Sequence, residues 1–314
     1  MEFLKLLEGI RTPLLDSIMS AITQLGSETV FMAIGIIVFW CVGKRQGYFL
    51  FAVGFLGTVA NQFMKLIFRI PRPWVLDPNF NIVEAARAGA TGYSFPSGHS
   101  QNIAGTLGVV AATTKKKWLR IICIVLIILV PFSRMYLGVH TPLDVGVGAG
   151  GALLLVLIMY PMFKTDERAD KFAPWAIAAF IAVAVAFLIY CLCYNFPAEV
   201  YTDPDENLIH GTKNAFTILG AGFALLLDYY LDKKYIHFDT KAGFLGNVLK
   251  TVLGLGIILG IKIVLKAPLL ALFNGSEVAT AVRYFLIVLF GGAIWPLTFP
   301  FFANIGKKDE SEKV

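Results

Sequence analysis

Three short segments of this 314-residue sequence carry residues that could bind an anion together. The first segment is KLIFRIPRP, in which Lys65 and Arg72 stand seven residues apart and Pro71 would end the helix before Arg72. Lysine binds phosphate as a point charge, and arginine binds it through two parallel N–H groups. Basic residues at the end of an apolar span also commonly extend their charged ends into the interface. That simpler interpretation stays open for this segment taken alone.

The second segment is PSGH, at the start of an apolar run. Pro96 restricts the backbone at this point, and Ser97 is a residue type that caps helices. Gly98 lets a ligand approach the backbone closely, and a helix N-terminus with free amides is an anion site. His99 would lie beside the bound anion. A capped helix with a surface histidine is the alternative.

The third segment is SRMYLGVHTPLD. Asp144 follows His140 by four residues, a distance at which a carboxylate can hold an imidazole in one tautomer and stabilise its cation. TPLD is also typical of a helix start, with Thr141 as the N-cap. The cap alone does not account for Ser133 and Arg134, which stand just upstream at the same predicted end of the membrane spans.

The composition places these segments in a membrane protein. The chain is 57% hydrophobic and 15% charged, and its mean hydropathy is +0.71. Many of its apolar runs approach the roughly 20 residues that cross a bilayer as a helix. These features predict an all-α, polytopic transmembrane helix bundle and exclude a soluble protein. The net charge of +6 does not indicate nucleic-acid binding, because the basic residues are scattered at span ends.

Nine spans are predicted from hydropathy. They lie at about residues 28–43, 47–70, 97–114, 118–137, 142–163, 174–194, 212–231, 244–272 and 281–304. The third is short and polar at its start, so we expect it to face other helices. Residues 1–27 are interpreted as an amphipathic helix on the membrane surface and not as a cleaved signal, and residues 307–314 as a soluble tail. All four cysteines fall in apolar spans, where neither a disulfide nor a metal site is expected.

Charge in the loops predicts the orientation. Basic residues concentrate in alternate loops, which the positive-inside rule assigns to the cytoplasm together with the C-terminus. The opposite side receives the PSGH loop, His140 and the acidic segment EVYTDPDEN. Four basic residues on that side have no topological explanation: Lys65, Arg69, Arg72 and Arg134. Unpaired cations at membrane depth are costly, and a bound phosphate would satisfy Lys65, Arg72 and Arg134.

In order, the three segments read K-x6-R-P, P-S-G-H and S-R-x5-H-x3-D. In this the sequence resembles the type-2 phosphatidic acid phosphatase (PAP2) superfamily, which comprises lipid phosphatases and their vanadium haloperoxidase relatives. No position departs from the family pattern. The resemblance covers roughly residues 20–165, and residues 174–304 lie mostly outside the matched motifs. The total of nine spans resembles sphingosine-phosphate phosphatases and glucose-6-phosphatases more than the six-span bacterial members.

The resemblance implies a six-helix core followed by three C-terminal helices, and a phosphohistidine mechanism. The catalytic core is assigned to residues 28–165 and the C-terminal transmembrane extension to residues 166–306. His140 would attack phosphorus, Asp144 would orient its ring, and His99 would protonate the leaving group. The implied phosphate-binding set is Lys65, Arg72, Ser97, Gly98, Ser133 and Arg134. No cofactor is expected. No metal is expected either, because no carboxylate cluster suits Mg²⁺.

Several alternatives remain at this stage. An active site at headgroup depth favours a lipid phosphate or pyrophosphate, such as undecaprenyl pyrophosphate, phosphatidate, phosphatidylglycerophosphate or a sphingoid-base phosphate. A lipid phosphotransferase using the same phosphohistidine is the nearest rival, ahead of a transporter and an inactive regulatory protein. Lys213, Lys262, Lys266 and Arg283 would either widen the headgroup site or anchor helices. The last three spans would form a homodimer interface, a lipid pathway or a lid, and His237 with Asp239 is interpreted as interfacial.

Overall fold

The computed structural model describes residues 1–194 and 204–305, and within these ranges the chain is helical and contains no strand. This confirms the predicted all-α bundle. The helices are α1 (Glu2–Gly9), α2 (Pro13–Thr23), α3 (Glu28–Ile37), α4 (Lys44–Phe68), α5 (Pro73–Leu76), α6 (Gly98–Thr113), α7 (Lys117–Tyr136), α8 (Pro142–Met159), α9 (Asp166–Cys193), α10 (Pro204–Leu231), α11 (Phe244–Val264), α12 (Lys266–Leu272), α13 (Val278–Leu289) and α14 (Phe299–Asn304). A π-helical turn at Val38–Val42 extends α3.

Seven helical segments of the described chain are long and apolar enough to cross a membrane. An eighth results if α2 and α3, which meet at a bend of 51°, count as one span. The sequence predicts nine, and the difference is α6. With 16 residues it is about 24 Å long, shorter than the roughly 30 Å of a bilayer core. Its residues from Ser100 to Val109 are all buried against other helices, in line with its predicted interior position.

The N-terminal segment differs from the single amphipathic helix predicted for residues 1–27. Thr12 caps a new helix with Pro13 at its first position, so the segment forms the separate helices α1 and α2. Leu4 and Leu7 are buried against the protein, whereas Leu14 is 71% exposed. Only part of the predicted apolar stripe is therefore free to contact lipid.

Ion pairs connect predicted cytoplasmic loops at one end of the bundle. The Lys44 ammonium lies 2.8 Å from the Asp232 carboxylate, and the Arg45 guanidinium lies 3.0 Å from that of Asp166. Helices α4 and α7 end, and α6, α8 and α10 begin, at the opposite end. Most of the acidic segment 199–207 and the tail 307–314 lie outside the described residues. The boundary predicted at 165/166 coincides with the start of α9, and the division into two domains stays a prediction.

Candidate active site

The three motif segments meet around one polar cavity of about 360 Å³ at the end of the bundle where α6, α8 and α10 begin. The motif residues that line this cavity are Lys65, Arg72, Gly98, His99, Arg134 and His140. Three cations and two histidines, which stand up to 75 residues apart in the chain, therefore face one space. Such a space can bind a multiply charged anion.

His140 is positioned by the turn between α7 and α8. Gly138 has a φ of 81°, a conformation that favours glycine, and it directs the chain back toward the bundle. Asp144 forms a capping box with Thr141, since its Oδ2 accepts a hydrogen bond of 2.7 Å from the Thr141 amide. The same Oδ2 lies 3.5 Å from His140 Nδ1. Asp144 therefore caps α8 and lies close enough to His140 for the predicted orienting role.

Arg72 contacts His140 directly and is held by the backbone around it. Its NH1 group donates to His140 Nε2 over 2.9 Å and to the Val139 carbonyl over 3.0 Å. Its Nε and NH2 groups donate to the carbonyls of Gly92 and Thr91. Because arginine has only donors, Nε2 must accept, and the imidazole carries its proton on Nδ1. The lone pair on Nε2 thus points at the residue best suited to hold a phosphoryl oxygen.

The imidazole of His140 is almost fully buried, and the residue lies between α7 and α8, outside both helices. Burial, followed by the charges of Arg72 and Arg134, lowers the pKa of His140 well below its ordinary value. The ring therefore remains neutral at physiological pH, as a nitrogen nucleophile requires.

Ser94, which none of the three motifs contains, completes the arrangement around Asp144. Its hydroxyl donates to Asp144 Oδ2 over 2.6 Å and lies 3.4 Å from His140 Nδ1. Because the Ser94 hydroxyl donates its hydrogen bond to the carboxylate, its oxygen can accept a hydrogen bond from the Nδ1–H group of His140. Ser94 stands two residues before Pro96, so its closeness to PSGH was the available signal.

Replacing Ser94 by alanine should lower kcat by about 10-fold and leave KM nearly unchanged, because the hydroxyl holds the Asp144 carboxylate beside the imidazole through a charge-assisted hydrogen bond and does not face the cavity. The measurement is steady-state phosphate release. Ser133→Ala is the matched control, since the Ser133 hydroxyl donates to the Val130 carbonyl within α7. Equal rates for Ser94→Ala and the wild type would remove Ser94 from the site.

Two predicted phosphate-binding hydroxyls do not face the cavity. The Ser133 hydroxyl makes its 2.7 Å hydrogen bond one turn back along α7. The Ser97 hydroxyl caps α6 by accepting from the Ser100 amide and hydroxyl, and the Ser97 amide donates to the Asp144 carbonyl over 2.9 Å. Both side chains are fully buried. The amides of Gly98 and His99 still fit the anion site predicted at the start of α6, because they precede the first intrahelical hydrogen bond.

The PSGH and TPLD segments are packed backbone against backbone. A side chain at Gly148 would meet the Ser97 carbonyl oxygen at 2.5 Å, so the close approach of α8 requires glycine there. This packing sets the relative positions of His99 at the start of α6 and His140 before α8.

The other two cations are held at the cavity with part of their donor capacity free. The Lys65 ammonium donates to the Tyr93 carbonyl. Arg134 NH1 donates to the Thr23 hydroxyl over 3.1 Å, whereas its buried Nε has no hydrogen-bond partner among the described residues. A buried guanidinium N–H without a partner is costly, and an anion in the cavity would supply one.

Comparison with known proteins decides the family. The model of the PAP2 superfamily matches residues 45–168, and the model described as PAP2 superfamily phosphatase, transmembrane extension, matches residues 216–307. Phosphatidylglycerophosphatase B of Bacillus subtilis is 30% identical over 177 residues, which cover 52% of this chain and 81% of the relative. The chain belongs to the PAP2 superfamily. It is an integral membrane phosphatase, as its motifs predict.

Other PAP2 phosphatases are similar over shorter or more divergent stretches. An undecaprenyl-diphosphatase of Sulfolobus acidocaldarius is 30% identical over 47% of this chain and 70% of its own length. Human sphingosine-1-phosphate phosphatase 2 is 23% identical over 66% of this chain and 50% of its own length. No solved structure matches the chain.

The PAP2 motifs do not account for one wall of the cavity, which α10 supplies. Its first turns place Asn207, His210 and Asn214 at the cavity, and the Asn214 amide donates to Gln62 on α4 over 3.2 Å. Nothing in the motif spacing could predict this contact, since it joins residues 152 positions apart. The remaining histidine, His237, contacts the Asp232 carbonyl near the opposite end of α10, away from the cavity, as predicted.

Proposed function

We propose that this PAP2 phosphatase hydrolyses the phosphate or pyrophosphate ester of a membrane lipid through a phosphohistidine on His140. The observation that carries the proposal is the contact between His140 Nε2 and Arg72, in a cavity that also holds Lys65 and Arg134. A neutral imidazole whose Nε2 lone pair faces the cations is suited to in-line attack on phosphorus, once a phosphoryl oxygen replaces Nε2 as the acceptor of the Arg72 N–H group.

In the first step, Nε2 of His140 attacks phosphorus and a P–N bond forms as the bond to the leaving oxygen breaks. The imidazole becomes cationic and is stabilised by Asp144, through Nδ1. His99, protonated when the negative charge of the bound substrate offsets the neighbouring cations, gives its proton to the leaving oxygen. Lys65, Arg72 and Arg134 hold the phosphoryl oxygens, which supplies the charge stabilisation on which phosphoryl transfer depends.

In the second step, water attacks the phosphohistidine. Neutral His99 now accepts a proton from the water, the P–N bond breaks, and inorganic phosphate leaves while His140 regains its lone pair. The amides of Gly98 and His99 are in place to donate to a phosphoryl oxygen in both steps. Because each proton transfer is assigned to a residue of this chain, the two steps return the enzyme to its starting state without a metal ion.

The substrate class follows from where the cavity lies and from the relatives. The cavity is at one end of the bundle, where the helices that line it begin or end, and this supports a site at headgroup depth. The similar proteins are named for the dephosphorylation of phosphatidylglycerophosphate, undecaprenyl diphosphate and sphingosine 1-phosphate. All three are amphiphiles with a phosphate at the polar end. The positive-inside rule supports an extracytoplasmic face for this site.

The direct test is phosphate release by the purified protein from a panel of lipid phosphates and pyrophosphates, with and without EDTA. We expect turnover of at least one long-chain substrate at a rate that EDTA does not change, with water as the acceptor. Loss of activity in EDTA and its recovery with Mg²⁺ would contradict the metal-independent mechanism. Transfer of the phosphate to an added alcohol in place of its release would assign the chain to the phosphotransferase alternative.

A further inference from the structure

A second cavity, of about 290 Å³, lies between the motif-bearing core and the C-terminal extension. One wall is a face of α3, where Met32, Ala33 and Ile36 recur at helical spacing. The phenyl rings of Phe51 and Phe55 on α4 and side chains of α10, α11 and α13 form the rest. The lining is apolar except near its two ends. We call this space the apolar cavity.

The apolar cavity lies directly beneath the polar cavity along the same helices. On α4, Gln62 and Lys65 face the polar cavity, whereas Phe51 and Phe55 face the apolar one. Phe51 and Gln62 are 11 residues apart, which corresponds to about 16 Å along the helix. The first turns of α10 line the polar cavity, and its later turns, which contain Leu225, line the apolar cavity.

Glu28, the first residue of α3, borders both cavities and marks their junction. The charged residues that line the apolar cavity are confined to its ends. Lys262, near the C-terminal end of α11, lies with Glu28 at the upper end. Asp228 lies at the lower end, and neither of its carboxylate oxygens has a hydrogen-bond partner among the described residues. Between these ends the walls present hydrocarbon and aromatic surface.

We infer that the apolar cavity binds the hydrocarbon chain of the lipid whose phosphate occupies the polar cavity. The inference rests on the proposed function, because it takes the substrate to be a lipid phosphate. One amphiphile fits both spaces in the order in which they are stacked, with phosphate at Arg72 and the chain running down α3 from Glu28. A chain ends above Asp228, since contact with a carboxylate that lacks a partner is unfavourable.

This arrangement gives the C-terminal extension a role in substrate recognition. The core contributes α3 and α4 to the apolar cavity, and the extension contributes α10, α11 and α13. The extension therefore selects for the length and shape of the chain, whereas the motif residues select for phosphate.

The test places larger side chains in the apolar cavity and compares their effects on KM for two substrates. Ala33→Phe places a ring in the space where the chain would lie. We expect it to raise KM for long-chain phosphatidate by about 10-fold or more, the scale of steric discrimination in an apolar pocket, and to change KM for a water-soluble short-chain phosphatidate less than about 2-fold. Ala178→Phe, on the exposed face of α9, is the matched control and should change neither value.

Leu255→Trp fills the same space from α11 and covers the case in which Ala33→Phe does not fold. Equal effects of both filling variants on the two substrates, no effect on either, or loss of both activities in both variants would overturn the inference. Failure of the proposed function has a different signature. In that case His140→Ala would still release phosphate from the short-chain substrate, whatever the filling variants do.

Discussion

Replacing His140 by alanine should lower phosphate release by at least about 10⁴-fold, the scale seen when a covalent nucleophile is removed. The cavity around the side chain stays intact, because Arg72 is also held by the carbonyls of Thr91, Gly92 and Val139. We therefore expect the variant to fold and to bind substrate. The measurement is single-turnover phosphate release, combined with trapping of the phosphoenzyme by rapid acid-free quench.

His237→Ala is the matched control, since this histidine contacts the Asp232 carbonyl at the other end of the bundle. It should retain full activity. A His140→Ala enzyme that keeps half of the wild-type rate would exclude His140 as the nucleophile. A labelled phosphoenzyme in that variant would do so as well, because the nitrogen that carries the label is absent.

The second large effect is expected at Arg72. Arg72→Lys should lower kcat by about 10² to 10³-fold, the loss that follows when an oriented donor to the transition state is removed. A lysine retains the charge but cannot donate to His140 Nε2 and to three carbonyls from one planar group. The measurement is kcat and KM for one lipid phosphate, with folding followed by thermal unfolding.

Arg120→Lys controls for the loss of guanidinium geometry alone. Arg120 also donates to backbone carbonyls, those of Ala111 and Thr114, but at the end of the bundle remote from the cavity. We expect wild-type kinetics for this variant. If Arg72→Lys kept kcat within about 3-fold of the wild type, well short of the loss expected for an oriented donor, Arg72 would act only as a point charge and its role as an oriented donor would be excluded.

The sequence predicts the part of the site that depends on local spacing. Asp144 and His140 share one helix start, and Arg72 follows a proline that ends its helix, so their positions follow from the order of residue types. The all-α bundle follows from hydropathy in the same way. The interior position of α6 also follows from its short, polar sequence, but the count of spans does not, because hydropathy does not show that 16 residues are too few to cross the bilayer core.

The parts that escaped prediction depend on side-chain direction and on packing between distant helices. Ser94 and Ser133 are both buried serines close to the motifs, yet one hydroxyl points at Asp144 and the other at its own helix. Periodicity cannot distinguish these directions, since each hydroxyl turns about a single side-chain bond. The approach of His210 to the cavity depends on how α10 packs against α4, which no local pattern encodes.

The wall that α10 provides has a consequence for the biosynthesis of the enzyme. The last motif residue, Asp144, precedes Asn214 by 70 residues. At about 5–20 residues per second, translation of that interval lasts several seconds. During this time a nascent chain contains all the residues of the three motifs but not the helix that closes their cavity. A chain whose synthesis stops between α8 and α10 would thus carry the three cations of the motifs without the wall that α10 provides.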